Sequence, residues 1–132
     1  MNSNLRPKLR EIVSELTRLK DILSAAIVRR DGLVIAHDLP TESDARKIAA
    51  MSAAIVGTGE MAAEELEHGR FLRSIIESDV GKILSTGAGP EAILVTLVRR
   101  DGNLGLVLMA LEKAARKAGS LVTQGGAGVE VS

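Results

Sequence analysis

The order of periodicities along the chain predicts an α+β domain, α-β-β-α-β-β-β-α, with a five-stranded antiparallel sheet. Three observations carry that reading. Apolar residues recur at helical spacing in three separate stretches. Two strand-like runs flank Asp31-Gly32. Three more strand-length runs between Arg70 and Arg100 are joined only by short, glycine-containing connections.

The first helix starts near Asn4. Leu5, Leu9, Ile12, Leu16 and Leu19 follow one another at spacings of four and three, with Val13 widening the stripe. Pro7 falls in the first turn, where a missing N–H costs nothing. At Ser24 the period changes. AAIVRR and LVIAHDL are short and apolar, and the Asp-Gly pair between them is a hairpin signal because both residues tolerate positive φ. Asp38-Leu39-Pro40 ends the second strand, and Thr41 or Ser43 can cap a helix from Asp44 to about Leu66. His68-Gly69 closes it. RFLRSIIES, GKILSTGAG and AILVTLVRR then read as three consecutive strands. Leu104, Leu108, Leu111, Ala115, Ala118 and Val122 set out the last helix, with Asp101 or Asn103 as its cap. A strand continuing to Met109 is the alternative, since Leu106 and Met109 fall off the helical stripe. One domain is expected over residues 1–123, followed by a Gly-rich flexible tail, 124–132.

VRRDG occurs twice, at Val28–Gly32 and Val98–Gly102. The first copy turns a hairpin and the second leaves a strand for a helix. Their flanks do not match, so a duplication is not implied; chance local similarity is the better account.

The central helix is unusual. Ala45, Ile48, Ala49, Ser52, Ile55, Val56, Gly59, Ala63 and Leu66 gather on one side at about 100° per residue. Nearly opposite lie Ala50, Ala54, Gly57 and Met61, where a solvated face would carry charge. A helix apolar on both sides is buried on both sides. One side can face the sheet; the other needs a partner. Alanine as a mere helix former is the blander account, but a glycine inside a helix costs about 1 kcal/mol relative to Ala and needs a packing reason. RFLRSIIES comes after this helix and can form a sheet edge open to pairing with another chain. The candidate interface for a second copy therefore comprises Ala50, Ala54, Gly57 and Met61 with Phe71, Arg73, Ile75 and Glu77.

The 132 residues include 17 basic and 17 acidic side chains, one aromatic and no cysteine. Zero net charge and a single stacking side chain argue against a nucleic-acid binder. The absence of cysteine removes disulfides, thiol nucleophiles and thiolate metal sites. No run is long and apolar enough to span a membrane, so a cytoplasmic protein is expected. His37-Asp38 is the best pair for acid–base work, yet neighbouring strand residues point to opposite faces. Gly87-Ala88-Gly89-Pro90 lacks the Gly-Lys-Ser/Thr and helix of a phosphate-binding loop, so it is a turn. Neither a catalytic residue, a metal nor a cofactor is expected.

In order and spacing these pieces resemble the Roadblock (dynein light-chain) family. The resemblance covers about residues 5–122. It rests on Arg30-Asp31-Gly32-Leu33-Val34-Ile35-Ala36 in the hairpin, the small-residue helix, RSIIESDVGKILSTGAG, and Asn103-Leu104-Gly105-Leu106 entering the last helix. It implies a profilin-like sandwich, with the first and last helices on one sheet face and the central helix on the other. It also implies a homodimer through the central helix and the strand after it, and binding to a Ras-like small GTPase as scaffold or regulator. Prokaryotic relatives act on gliding-motility-type GTPases, some as GTPase-activating proteins. The scarcity of aromatics and the short tail fit a stand-alone prokaryotic member rather than a motor subunit. Arg29, Arg30, Arg99 and Arg100 sit at strand ends where they can contact such a partner, as arginine fingers or simply as solvated charges. The competing reading is a small-molecule-sensing module, which requires a polar-rimmed cavity beneath the sheet.

Overall fold

A computed structural model describes residues 4–125. Three helices and five strands run in the expected order: α1 Leu5–Thr17, β1 Ile22–Arg29, β2 Val34–His37, α2 Glu42–Glu65, β3 Ser74–Glu77, β4 Gly81–Ala88, β5 Ala92–Arg99 and α3 Leu104–Gly125. All strand pairs are antiparallel, and the sheet runs β2-β1-β5-β4-β3. Residues 126–132, most of the expected tail, lie outside the described residues.

Alternation along the central strands divides the core into two layers. Ile22, Ala25 and Ile27 of β1 with Leu94 and Val98 of β5 pack under α1 and α3, against Leu9, Ile12, Leu16, Val107 and Leu111. Ala26 and Val28 with Ile93 and Val95 face the other way, onto Ala45, Ile48, Ala49 and Val56 of α2. Thr96 sits fully buried on β5, and its Oγ1 finds no hydrogen-bond partner among the described residues.

The two VRRDG copies build the same local turn. In the first, the Gly32 N–H donates to the Arg29 carbonyl at 2.9 Å; in the second, the Gly102 N–H donates to the Arg99 carbonyl at 3.1 Å. Arg29 pairs with Asp31, and Arg99 with Asp101. The exits differ. Gly32 takes φ +91° and the Arg29 N–H donates to the Leu33 carbonyl, closing a three-residue hairpin loop with a bulge. Of the Asp-Gly pair, Gly32 takes the positive φ and Asp31 does not. After Gly102 the Asn103 N–H is held by the Asp21 carboxylate, and Asn103 Oδ1 caps α3 through the Leu106 N–H. The helix thus starts at Leu104, and the strand alternative to Met109 falls.

Thr41 caps α2, accepting from the Asp44 N–H. The helix ends one residue before the expected stop: Glu67 turns left-handed at φ 50°, and the His68 N–H reaches the Ala63 carbonyl. Leu66, expected on the sheet face, is 72% exposed because this turn carries it off the helix. RFLRSIIES shortens to Ser74–Glu77. Its first half is pulled out of the edge by side chains: Phe71 packs beneath α2, and Arg73 pairs with Glu112 of α3.

Thr96→Val removes a buried hydroxyl that has no partner while preserving shape. It is expected to raise unfolding stability by about 1 kcal/mol in urea titrations; a loss of stability would show that the hydroxyl is satisfied.

Candidate functional site

α2 covers its sheet face alone, so its outer half is left to solvent. Ala50, Ala54 and Gly57 are exposed, as is Met61 at 63%. Met51, at 53%, and Thr58 lie beside them and widen the stripe. Lys47 and Glu64 bound the stripe at its two ends, and no charge interrupts its centre.

The two helix glycines have different causes. A Cβ on Gly59 would lie 2.5 Å from Phe71 Cε1, so Gly59 makes room for that ring. A Cβ on Gly57 would meet nothing within 4 Å. Gly59 therefore has its packing reason inside the chain, and Gly57 has none there.

Beside α2 the sheet ends in β3. Ile75 opposes Leu84 and Ile76 opposes Ile83, so consecutive residues face opposite layers. Leu84 belongs to the α1/α3 layer and Ile83 to the α2 layer. Ile75 and Glu77 accordingly stand on the α3 side, where Arg73 also turns to meet Glu112 at 2.7 Å. Phe71 is partly buried against the α2 layer of its own chain. Ile76, which the sequence also offers at this edge, is 37% exposed on the face that α2 shares, and Leu72, 58% exposed, is the neighbour outside the candidate interface. Strand parity was the missing signal: a strand of four residues shows too few alternations to assign its faces.

The four arginines do not form one surface. β1 and β5 are antiparallel, with Arg29 opposite Ala92 and Ile22 opposite Val98. Arg29 and Arg30 therefore sit at one end of the sheet and Arg99 and Arg100 at the other, about 23 Å away for an eight-residue strand. Arg30 is no exposed strand end. Nη1 pairs with Glu60 of α2 at 2.6 Å and Nη2 donates to the Gly89 carbonyl at 3.1 Å. The guanidinium lies over Gly87, where a Cβ would come within 2.7 Å of Nη2. Arg30 thus ties the hairpin, the β4–β5 turn and α2 together. Arg29 is occupied by Asp31. Arg99, at 54% side-chain exposure, is held among the described residues only by Asp101 at 3.9 Å, and Arg100 is exposed.

His37 and Asp38 diverge, as alternation requires. His37 Nδ1 accepts from the Leu39 N–H and Nε2 meets Glu42, whereas Asp38 accepts from the Ala25 N–H on β1. Both serve the β2–α2 connection. A groove of about 420 Å³ lies between α1 and α3, floored by Ile12 and Leu16 and edged by Glu15, Lys113 and Lys117. It opens on the helical layer and not beneath the sheet, where a sensing module would hold its ligand. No helix among the described residues is long and apolar enough to cross a membrane.

The model of the Roadblock/LC7 domain matches residues 8–98. An uncharacterized protein of Methanocaldococcus jannaschii is 39% identical over 106 residues, 80% of this chain and 92% of the relative. Among solved structures, the gliding protein MglB of Thermus thermophilus superposes with a TM-score of 0.82 at 19% identity, covering 94% of this chain and 95% of its own. Acanthamoeba castellanii profilin II superposes at 0.58 with 16% identity, over 89% and 98% of the two chains. The sandwich is therefore profilin-like, as the resemblance implied.

Arg30→Ala is expected to lower stability by about 1–2 kcal/mol, through the lost ion pair, carbonyl contact and packed stem. Arg99→Ala and Arg100→Ala should each stay within about 0.5 kcal/mol of the parent. Chemical denaturation of the three variants checks the contrast; equal effects would contradict the division of roles.

Proposed function

The chain belongs to the Roadblock/LC7 family, and from that premise we propose that it is a homodimeric, non-enzymatic regulator or scaffold that binds a Ras-like small GTPase in the cytoplasm. The observation that carries this reading is the outer face of α2. It is uncharged at its centre, lined by exposed Ala54, Gly57 and Met61, and flanked by the open edge of β3. Exposed methionines suit a surface that repacks against another protein, because the thioether chain is flexible and polarizable. Ala50, Ala54, Gly57 and Met61, with Ile75, Ile76 and Glu77 from the edge strand, form the seam between two copies. Arg73 stands beside it.

Support for binding over chemistry comes from the polar groups. His37 and Asp38 have separate structural partners, and Arg30 is engaged by Glu60 and Gly89. Action on a GTPase therefore works by shaping the partner's own catalytic groups. Arg99 and Arg100 are the arginines left for that contact. The likeness to a gliding protein fits the same reading, as do the GTPase-linked relatives that the family resemblance implies.

The test uses purified Ras-like GTPases of the same genome, each loaded with GDP or a non-hydrolysable GTP analogue and titrated calorimetrically. At least one should bind, with a preference for one nucleotide state of about five-fold or more. Absence of heat with every GTPase in both states would overturn the proposal. GTP turnover with Arg99→Ala and Arg100→Ala combined then separates the two roles. Reduced turnover assigns an activating contact, and unchanged turnover leaves a scaffold.

A further inference from the structure

The zero net charge of the chain conceals a division between its two helical layers. α1 with the three residues after it, and α3, together carry eight basic and three acidic side chains. α2 carries two basic and five acidic ones. The sheet separates them, so the molecule is cationic on one face and anionic on the other. Two of the three acids on the cationic face are already engaged. Glu112 is paired with Arg73, which reaches over from the segment before β3, and Glu15 lies 3.9 Å from Lys117. Lys8, Arg10, Arg18, Lys113 and Arg116 are exposed and make no ion pair among the described residues.

Apolar side chains stand among these cations. On α3, Leu106, Met109, Lys113 and Arg116 follow one another at spacings of three and four, so they share one side of the helix. That side is turned away from the sheet, opposite the buried Val107, Leu111 and Ala118. Leu106 is 60% exposed and Met109 70%. Leu19, 41% exposed, joins the same surface from the end of α1, where it lines the inter-helix groove with Ala110, Lys113 and Lys117.

We infer that the α1/α3 layer is a docking surface for an anionic lipid bilayer: its lysines and arginines meet the headgroup charge while Leu19, Leu106 and Met109 enter the interfacial zone. Three features favour this occupant. The cations are spread over two helices on long, flexible stems, which suits a field of charge better than a single carboxylate. Each one held near such a surface contributes about five-fold in affinity. Leucine and methionine gain nothing from a phosphate backbone in water, whereas between lipid headgroups they bury apolar surface, as interfacial amphipathic helices do. Finally, the anionic α2 layer is repelled by the same membrane, so the charge division orients the molecule with α2 pointing away and open to protein contacts. The inference goes beyond the GTPase reading, because it concerns a face which that reading does not use.

Co-sedimentation of the purified chain with vesicles tests this, comparing phosphatidylcholine alone with phosphatidylcholine containing one-third phosphatidylglycerol. The chain should bind the anionic vesicles at least about ten-fold more tightly than the neutral ones, and lose that preference as salt rises from about 50 mM to about 500 mM. Lys113→Glu should weaken binding at least about five-fold, and Leu106→Ser combined with Met109→Ser by a similar factor. Arg46→Glu makes the same charge change on the far side of the sheet and should stay within about two-fold of the parent. All four positions are exposed, and circular dichroism checks that each variant stays folded. A parent that fails to sediment with anionic vesicles at low salt would overturn the inference. Equal losses from Lys113→Glu and Arg46→Glu would do the same, since net charge rather than one face would then be felt. Undiminished binding by the serine pair would remove the apolar contact, and with it the choice of a bilayer over an acidic protein. Tighter binding to double-stranded DNA than to anionic vesicles would make nucleic acid the counterpart instead.

Discussion

One sheet face is covered by two helices and the other by one, and much of the molecule depends on that imbalance. α1 and α3 together close the layer built on Ile27, Leu94 and Val98, and their outer surfaces carry charge. α2 must shield Ala26, Val28, Ile93 and Val95 alone. It does so with small inward residues, Ala45, Ala49 and Ser52, that let the helix lie close to the strands. Help comes from the ends: the β1–β2 turn packs against it at Gly32, and Phe71 wedges beneath it at Gly59. The remainder is an exposed outer stripe, and a Cβ at Gly57 within it would meet nothing within 4 Å.

The tie made by Arg30 answers the same imbalance. A single helix on a sheet face has few contacts with which to hold its angle, and an arginine reaching from the hairpin to Glu60 while bonding the Gly89 carbonyl adds one. The cost is that its Nε is buried without a hydrogen-bond partner among the described residues. The arginine that looked most available to a partner is thereby committed to positioning the surface where a partner docks. Its counterpart in the second copy of the pentapeptide, Arg100, is exposed.

The pentapeptide itself separates local from tertiary control. Arg-Arg-Asp-Gly folds into the same hydrogen-bonded turn at both sites, with the same Arg–Asp pairing. The path of the chain beyond each turn is decided by its neighbours. Leu33 and Val34 find β1 and extend the ladder, whereas Asn103 finds the Asp21 carboxylate and caps a helix.

By itself the sequence determined the element order, the antiparallel sheet, the three helices and the apolar outer stripe of α2. Each of these is written in a local period or a turn residue, and a period survives in one dimension. Tertiary structure alone decided which glycine was already filled, that Phe71 turns inward, that Ile76 rather than Ile75 shares the α2 face, and that the arginines divide between opposite ends of the sheet. Those outcomes depend on strand register and on side chains meeting across tens of residues. Arg30 and Glu60, Gly59 and Phe71, and Arg73 and Glu112 are neighbours only after the chain has closed. Periodicity records which way a residue faces, and only packing records what it finds there.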